Sequence, residues 1–234
     1  MAVAAVVVVA AIGIALGVIL TRGSGSSNAA NVPTYGSLAN GLPGATDVYK
    51  LFKGIPQKGN VLGSSKAPAT MVEYIDLQCP YCQQFETQIM PGLVKTYVRP
   101  GKLKVEVRPL AFIGPDSVRG RKAMIAAGRQ NKAFQFAELL YFNQQTENTG
   151  WLSQGMVKQA AESIPKLNVP KLLADQSSSY ADQQAQTYDA LGNSANVQST
   201  PTLVVGKSGA KGTEVSDPLN ASTVKTAIQN ALGG

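Results

Sequence analysis

The chain has 234 residues, of which 44% are hydrophobic and 15% are charged, so it can bury the core of one domain. It contains two cysteines and no histidine, which excludes Ser-His-Asp and Cys-His catalysis and leaves a zinc site short of ligands. The net charge of +7 comes from Lys and Arg residues that are scattered along the chain, so we expect neither a metal nor a nucleic acid as a partner.

The N-terminus contains an uninterrupted apolar run, AVAAVVVVAAIGIALGVIL, at residues 2–20. As a helix this run would be about 28 Å long, close to the thickness of the hydrocarbon core of a bilayer. It is long for the core of a signal peptide, although small residues at 26–30 would permit cleavage. We therefore predict a transmembrane anchor or signal segment at 1–21 and favour the uncleaved anchor. Residues 22–47 are rich in Gly, Ser, Asn, Ala and Pro, a composition typical of a flexible linker.

The folded part opens with ATMVEYIDL at 69–77, which predicts a central strand that is buried on both faces. A helix follows from Cys79, with Cys82 on its inward-facing side and a kink expected at Pro91. The sequence KLKVEVRPL then alternates between polar and apolar residues, which predicts a strand with one solvated face. From residue 112 to residue 195 the pattern is helical throughout.

The C-terminal part returns to strands. STPTLVVG at 199–206 predicts a strand, and a second short strand is expected near 212–215. The last helix is predicted to start at Asp217 as its N-cap, with Pro218 at the first helical position. The order of elements predicts an α/β fold with a long helical insertion.

The two cysteines stand in the sequence CPYC, at the start of the predicted helix. Cys79 precedes Pro80 at a helix N-terminus, where unpaired N–H groups and the helix dipole stabilise a thiolate and lower its pKa. Cys82 lies one turn later and faces inward. We therefore predict an attacking sulfur at Cys79 and a resolving sulfur at Cys82. A structural disulfide would close too small a loop to stabilise the fold much, and half of a zinc ribbon would lack its second ligand pair.

These features resemble the thioredoxin superfamily, in which a buried strand precedes a CxxC helix and a later strand opens with a proline. The helical block between Cys79 and Pro201 is similar to the DsbA-type branch, and VEYIDLQCPYCQQFE is similar to its membrane-anchored bacterial members. The resemblance covers about residues 55–234. It implies a thioredoxin fold with an inserted helical domain, preceded by a transmembrane anchor. The corresponding boundaries are 48–111 for the first part of the fold, 112–195 for the insertion and 196–234 for the second part.

The resemblance also implies roles for residues outside the cysteine pair. In this family the proline that corresponds to Pro201 is cis and faces the disulfide, which leaves the backbone of Thr200 free to pair with a substrate strand. Glu73 corresponds to a buried acidic residue whose raised pKa would let it exchange a proton with Cys82.

The dipeptide between the cysteines, Pro80 and Tyr81, tunes the stability of the thiolate and hence the reduction potential. The best-known oxidant of the family has histidine in this dipeptide, and Pro-Tyr also occurs in glutaredoxins. CPYC alone therefore does not fix the direction of the reaction.

The resemblance implies a membrane-anchored, extracytoplasmic thiol-disulfide oxidase that donates a disulfide to reduced or unfolded exported proteins and needs no cofactor. A quinone-linked membrane oxidase of the DsbB or VKOR type would reoxidise it, and we expect a monomer. Arg22, which follows the apolar run, favours the opposite orientation, but the cysteine chemistry outweighs one residue. The alternatives are a reductase or isomerase of the same fold, a redox-independent chaperone and, ranked last, a glutathione-conjugating enzyme.

Overall fold

A computed structural model describes residues 32–39 and 41–233, so the predicted anchor at 1–21 lies outside the described residues. Within the described ranges, none of the helices has the length and hydropathy needed to span a membrane.

One mixed β-sheet forms the centre of the fold, with its strands in the order β1-β2-β4-β3-β5-β6. Strands β3 and β4 are parallel, and all other neighbours in the sheet are antiparallel. The strand bounds are Gln57–Lys58 (β1), Val61–Leu62 (β2), Ala69–Ile75 (β3), Leu103–Pro109 (β4), Thr202–Lys207 (β5) and Thr213–Glu214 (β6). The buried strand that precedes the cysteines is thus β3, paired on both sides.

The cysteines begin a helical run from Pro80 to Val98, here called the cysteine helix. It consists of α2 (Pro80–Gln84), a π-helical turn π1 (Phe85–Ile89), α3 (Met90–Leu93) and a second π-helical turn π2 (Val94–Val98). The N–H of Met90 bonds to the carbonyl of Phe85, five residues back, so the irregularity expected from Pro91 takes the form of a π-turn.

The remaining helices are α1 before the sheet, five helices between β4 and β5, and one after β6. Their bounds are Ala45–Phe52 (α1), Pro115–Gly128 (α4), Ala133–Phe142 (α5), Gln154–Glu162 (α6), Val169–Gln176 (α7), Ser179–Ser194 (α8) and Ala221–Leu232 (α9). As the sequence predicts, residues 112–195 contribute helices and no strand to this sheet.

Strand β3 directs its side chains alternately to the two faces of the sheet. Tyr74 packs in a cluster with Ala181 and Tyr188 of α8. Met71 and Ile75, on the other face, belong to the main core, which includes residues of the cysteine helix and α9. Glu73 has the same parity as Met71 and Ile75, so its side chain lies on the face that carries the cysteines.

The structure differs from the sequence-based expectation in the predicted linker, 22–47. Its described residues are not free coil: the N–H groups of Gly36 and Ser37 bond to carbonyls at 167 and 162, and Tyr35 forms a β-bridge with Asn168. A Cβ at Gly36 would lie 2.3 Å from two carbonyl oxygens, which explains the glycine. Helix α1 already begins at Ala45.

The start of the last helix was also predicted wrongly. Its N-cap is Asn220, whose side chain accepts hydrogen bonds from the N–H groups of Ser222 and Thr223. Asp217 instead accepts from the N–H of Leu219 in the preceding turn. Asp and Asn are equally good caps, so composition alone could not choose between two candidates three residues apart.

Candidate active site

The two cysteines lie at the N-terminal end of the cysteine helix. Cys79 is the N-cap residue, with extended backbone angles (φ −71°, ψ 121°), and Pro80 occupies the first helical position. Both sulfurs are free thiols and both residues are buried: Cys79 is 4% exposed and Cys82 is 0% exposed. Tyr81 between them is 60% exposed, so the dipeptide faces solvent beside the buried sulfurs.

Thr200 and Pro201 approach the cysteine pair from the segment that enters β5. The peptide bond between them is cis, as the resemblance implies. The Sγ atom of Cys79 lies 3.2 Å from the carbonyl oxygen of Thr200 and donates to it in the thiol form. Cys79 and Thr200, which are 121 positions apart in sequence, are thus in direct contact.

The environment of Cys79 favours its thiolate. The pKa of Cys79 is lowered to about 6 from an ordinary value of 9.0, and the largest cause is a hydrogen bond from the Cys82 thiol. The Thr200 side chain and the N–H groups of Cys82 and Tyr81 also act to lower this pKa, and burial acts to raise it. The helix-terminal N–H groups expected from the sequence do contribute, but the neighbouring thiol has the larger effect.

The environment of Cys82 favours its protonated thiol. Burial raises its pKa well above 9.0, and the adjacent Cys79 raises it further. At neutral pH the reduced pair therefore carries one negative charge, on Cys79, and one proton, on Cys82. This asymmetry is what an attacking and a resolving sulfur require.

Glu73 lies on the same face of the sheet, in a group of three buried carboxyl side chains with Glu86 and Glu138. Their exposed fractions are 0%, 4% and 1%. Burial raises the pKa of Glu73 well above its usual range, and Glu86 and Glu138 add to the effect. The pKa of Glu86 and that of Glu138 are also raised, mainly by burial. Such carboxyl groups hold protons at pH values where exposed glutamates are ionised.

A second polar network fixes the loops around the cysteines, and it is organised by Asp76. The carboxylate of this buried residue accepts hydrogen bonds from the Ser117 hydroxyl (2.6 Å) and from three backbone N–H groups, at Gln78, Phe112 and Ile113. The Tyr141 hydroxyl donates to the carbonyl of Asp76 (3.0 Å). These bonds tie the segment before Cys79 to α4 and α5.

The sequence analysis missed Asp76, Glu86, Glu138 and Tyr141. A signal existed for Glu86, because it follows Cys82 by four residues and so shares its helical face. Glu138 stands among apolar residues of α5, which indicates burial but not a partner. Its proximity to Glu86 depends on how α5 packs against π1, and no local pattern specifies that.

The geometry agrees with comparisons to known proteins. Residues 56–230 match the family model described as Thioredoxin. The chain belongs to the thioredoxin family. Over 172 residues it is 26% identical to the Bacillus cereus protein named "Probable disulfide bond formation protein D", an alignment that spans 68% of this chain and 80% of the relative.

Two solved structures show the same fold. The chain is similar to oxidised BdbD from Bacillus subtilis (TM-score 0.68, 24% identity, 77% of this chain and 98% of that one). It is also similar to DsbA from Chlamydia trachomatis (TM-score 0.63, 18% identity, 73% of this chain and 90% of that one). The protein is a DsbA-like thiol-disulfide oxidoreductase.

Proposed function

We propose that the protein is a disulfide-donating oxidase of exported proteins, with Cys79 as the attacking sulfur and Cys82 as the resolving sulfur. The observation that carries the proposal is the pKa of Cys79, lowered to about 6 beside the cis peptide bond of Thr200–Pro201. A stabilised thiolate favours the reduced form, so the oxidised form readily gives its disulfide away.

The size of this effect follows from the two pKa values. At pH 7, a buried thiol whose pKa is lowered from 9.0 to about 6 stabilises the reduced protein by about 1.4 kcal/mol. For a two-electron couple this corresponds to about 30 mV toward the oxidising side. Thr200 would pair its backbone with the bound substrate, as in β-strand addition, and Tyr81 would contact the substrate from its exposed position.

The site of action and the partners complete the proposal. The catalytic domain would act outside the cytoplasm on reduced or unfolded exported proteins, held at the membrane by an anchor at 1–21 and oxidised again by a quinone-linked membrane enzyme of the DsbB or VKOR type. The names of the Bacillus relatives, which refer to disulfide bond formation, support the oxidase direction, and we expect the protein to act as a monomer.

The decisive experiment combines a measurement of the reduction potential with an assay of disulfide transfer. The equilibrium reduction potential against glutathione is expected to lie on the oxidising side of the thioredoxin value of about −270 mV. Reduced, unfolded substrate protein should gain disulfides when mixed with the oxidised wild type, and Cys79→Ser should abolish the transfer. A potential as low as that of thioredoxin would refute the oxidase and favour the reductase. If the protein rearranges scrambled disulfides faster than it oxidises reduced substrate, the result would favour the isomerase.

A further inference from the structure

A cavity of about 360 Å³ lies between α1, α5 and residues 163–166, which join α6 to α7. Its size is within the range of pockets that bind small molecules, about 300–1,000 Å³. None of its lining residues belongs to the cysteine site, since Cys79, Cys82, Thr200 and Pro201 are not among them. The cavity is therefore a candidate binding site that disulfide transfer does not use.

The charged side chains that line this cavity are all cationic. Lys53 follows α1, Lys132 precedes α5, and Lys166 lies between α6 and α7. No carboxylate lines the cavity, and none of the three lysines forms a salt bridge with a described residue. Asp47 of α1 lines a different groove, and Glu162 of α6 pairs with another lysine. Within the part of the chain that the structure describes, three positive charges thus have no counterion.

Two of these lysines are exposed at the edge of the cavity. The Nζ atom of Lys53 lies 5.8 Å from the centroid of the Tyr49 ring, which also lines the cavity. Lys166 has a left-handed backbone conformation (φ 66°), which is unfavourable for any side chain larger than that of glycine. An ammonium group therefore stands at this position in spite of the cost to the backbone, as strained residues do at functional sites.

Lys132 is less exposed than the other two and stands at the N-terminus of a helix. It is the N-cap residue of the ten-residue helix α5, which has no side-chain cap. Burial lowers the pKa of the Lys132 ammonium group, and the charge of Lys166 adds to the effect. The preceding residue, Asn131, accepts a hydrogen bond from the N–H of Gly59 through its Oδ1 atom (3.0 Å), so its NH2 group is available as a donor. This end of the cavity presents positive charge and donors, to which the helix dipole adds.

The floor of the cavity is apolar. It is formed by side chains that are at most 3% exposed: Val48, Phe52, Leu139 and Ile164. A complementary ligand has an anionic group for the lysines and a compact apolar or aromatic part for the floor. Lysine acts as a point charge that suits phosphate, whereas a planar carboxylate is matched best by arginine, and no arginine lines the cavity. An uncapped helix N-terminus also favours phosphate.

We propose that this cavity, here called the lysine pocket, binds a small organic phosphate monoester, with the phosphate held by Lys53, Lys132 and Lys166 and the organic part against the apolar floor. A phosphate monoester carries about 1.5–2 negative charges at pH 7, which would offset the repulsion between the lysines. The inference goes beyond the proposed function and does not depend on it, because the lysine pocket contains no residue of the cysteine site.

The first test is calorimetric titration of the full-length protein with phenyl phosphate at low salt. We expect a Kd below about 1 mM, binding of inorganic phosphate that is at least about threefold weaker because it lacks the apolar part, and no binding of benzyl alcohol, which lacks the charge. Lys132→Gln should raise the Kd for phenyl phosphate at least about tenfold, because a hydrogen bond to a charged group is lost, and Lys132→Arg should raise it less. Lys225→Gln, at an exposed position of α9, makes the same change of net charge outside the pocket and should bind like the wild type.

The second test locates the ligand and identifies its source. Phenyl phosphate should shift the side-chain amide signals of Asn131 and Gln135, which line the pocket, in nitrogen-15 correlation spectra of the wild type. Dihexanoyl phosphatidate carries the same phosphate monoester on a lipid body. If it binds more tightly than phenyl phosphate, with the same dependence on Lys132, the pocket takes a lipid headgroup; the reverse order assigns a soluble ester.

Three results would overturn the lysine pocket. They are no saturable binding of phenyl phosphate at ten times the expected Kd, an equal loss of binding in Lys225→Gln and Lys132→Gln, and binding of inorganic phosphate as tight as that of phenyl phosphate. Lys53→Gln combined with Lys166→Gln changes only exposed side chains and should also raise the Kd at least about tenfold; an unchanged Kd in this variant contradicts the proposal even if Lys132→Gln folds poorly. The oxidase assignment is tested separately, by Cys79→Ser and the reduction potential.

Discussion

Replacing Cys82 tests the finding that the neighbouring thiol is the main cause of the acidity of Cys79. In the structure the Cys82 thiol makes the largest contribution to the lowered pKa of Cys79, ahead of the Thr200 side chain and the backbone N–H groups. A hydrogen bond to a charged group contributes about 1.5–3 kcal/mol, which corresponds to about one to two pH units. Cys82→Ala should therefore move the titration midpoint of Cys79 upward by about one to two pH units.

The consequence is large at neutral pH. With a pKa of about 6, Cys79 is about 90% ionised at pH 7, and the substitution should reduce this fraction to about 10–50%. The ultraviolet absorbance of the thiolate, followed against pH, measures the midpoint, and the rate of alkylation by iodoacetamide checks it independently. Cys82→Ser is the matched comparison, because its hydroxyl still donates; its midpoint should lie between those of the wild type and Cys82→Ala.

Two results would refute this reasoning. If the midpoint of Cys79 is unchanged in Cys82→Ala, the helix-terminal N–H groups and Thr200 are sufficient, and the sequence-based explanation through the helix dipole was the better one. If Cys79 titrates near 9.0 in the wild type, the thiolate is not stabilised at all and the proposed oxidase loses its physical basis.

Four further predictions follow from the geometry of the site and the N-terminal segment. The reduction potential should fall by about 59 mV per pH unit below about pH 6 and by about 30 mV per pH unit above it, because above pH 6 the reduced Cys79 no longer takes up a proton. Equilibration with glutathione at a series of pH values measures the two slopes, and a single slope contradicts the prediction. Asp76→Ala leaves four hydrogen-bond donors without their acceptor and should lower the free energy of unfolding in urea by at least about 3 kcal/mol, whereas Asp76→Asn should lower it by less. Equal losses in the two variants contradict the role of Asp76 as a hydrogen-bond acceptor. Gly36→Ala should increase proteolysis near residues 32–39 without altering disulfide transfer, since its Cβ meets two carbonyl oxygens at 2.3 Å. Folding raises the pKa of Glu73, so this residue lowers the free energy of unfolding as the pH rises above its unfolded pKa of 4.5. In the oxidised protein, Glu73→Gln should therefore be more stable than the wild type at pH 8, and the difference in free energy of unfolding should grow by up to about 1.4 kcal/mol per pH unit and vanish near pH 4. A difference that is independent of pH in urea unfolding contradicts burial as the cause.

The parts of the fold that the sequence predicted well are those whose signal is local. The alternation in KLKVEVRPL and the apolar run in ATMVEYIDL correspond to β4 and β3, because residues two apart share a face of a strand. The hairpin of β1 and β2 was missed although Gly59 and Asn60 form its turn. Two-residue strands have too few positions for alternation to be visible, and only the turn residues carry information there.

The candidate site divides in the same way. Cys79, Pro80 and Cys82 are neighbours in sequence, so the helix start at Cys79 and the inward position of Cys82 could be predicted from residue spacing. The contact between Thr200 and Cys79 could be expected only from the family resemblance. The group of three buried carboxyl side chains could not be predicted, because Glu73, Glu86 and Glu138 come from a strand and two helices whose packing decides whether they meet. The sequence pattern can predict that a glutamate in an apolar stretch is buried, whereas its partner depends on the tertiary packing of the elements.

The electrostatics of the site show why the two sulfurs need different surroundings. The pKa of Cys79 is lowered chiefly by the hydrogen bond from the Cys82 thiol, and the pKa of Cys82 is raised chiefly by burial. A positive charge placed beside Cys82 would stabilise its thiolate, and Cys82 would then give Cys79 a weaker hydrogen bond or none. Burial thus keeps the proton on Cys82, and that proton is the main cause of the lowered pKa of Cys79. The acidity of the attacking sulfur therefore depends on the burial of the resolving sulfur beneath it.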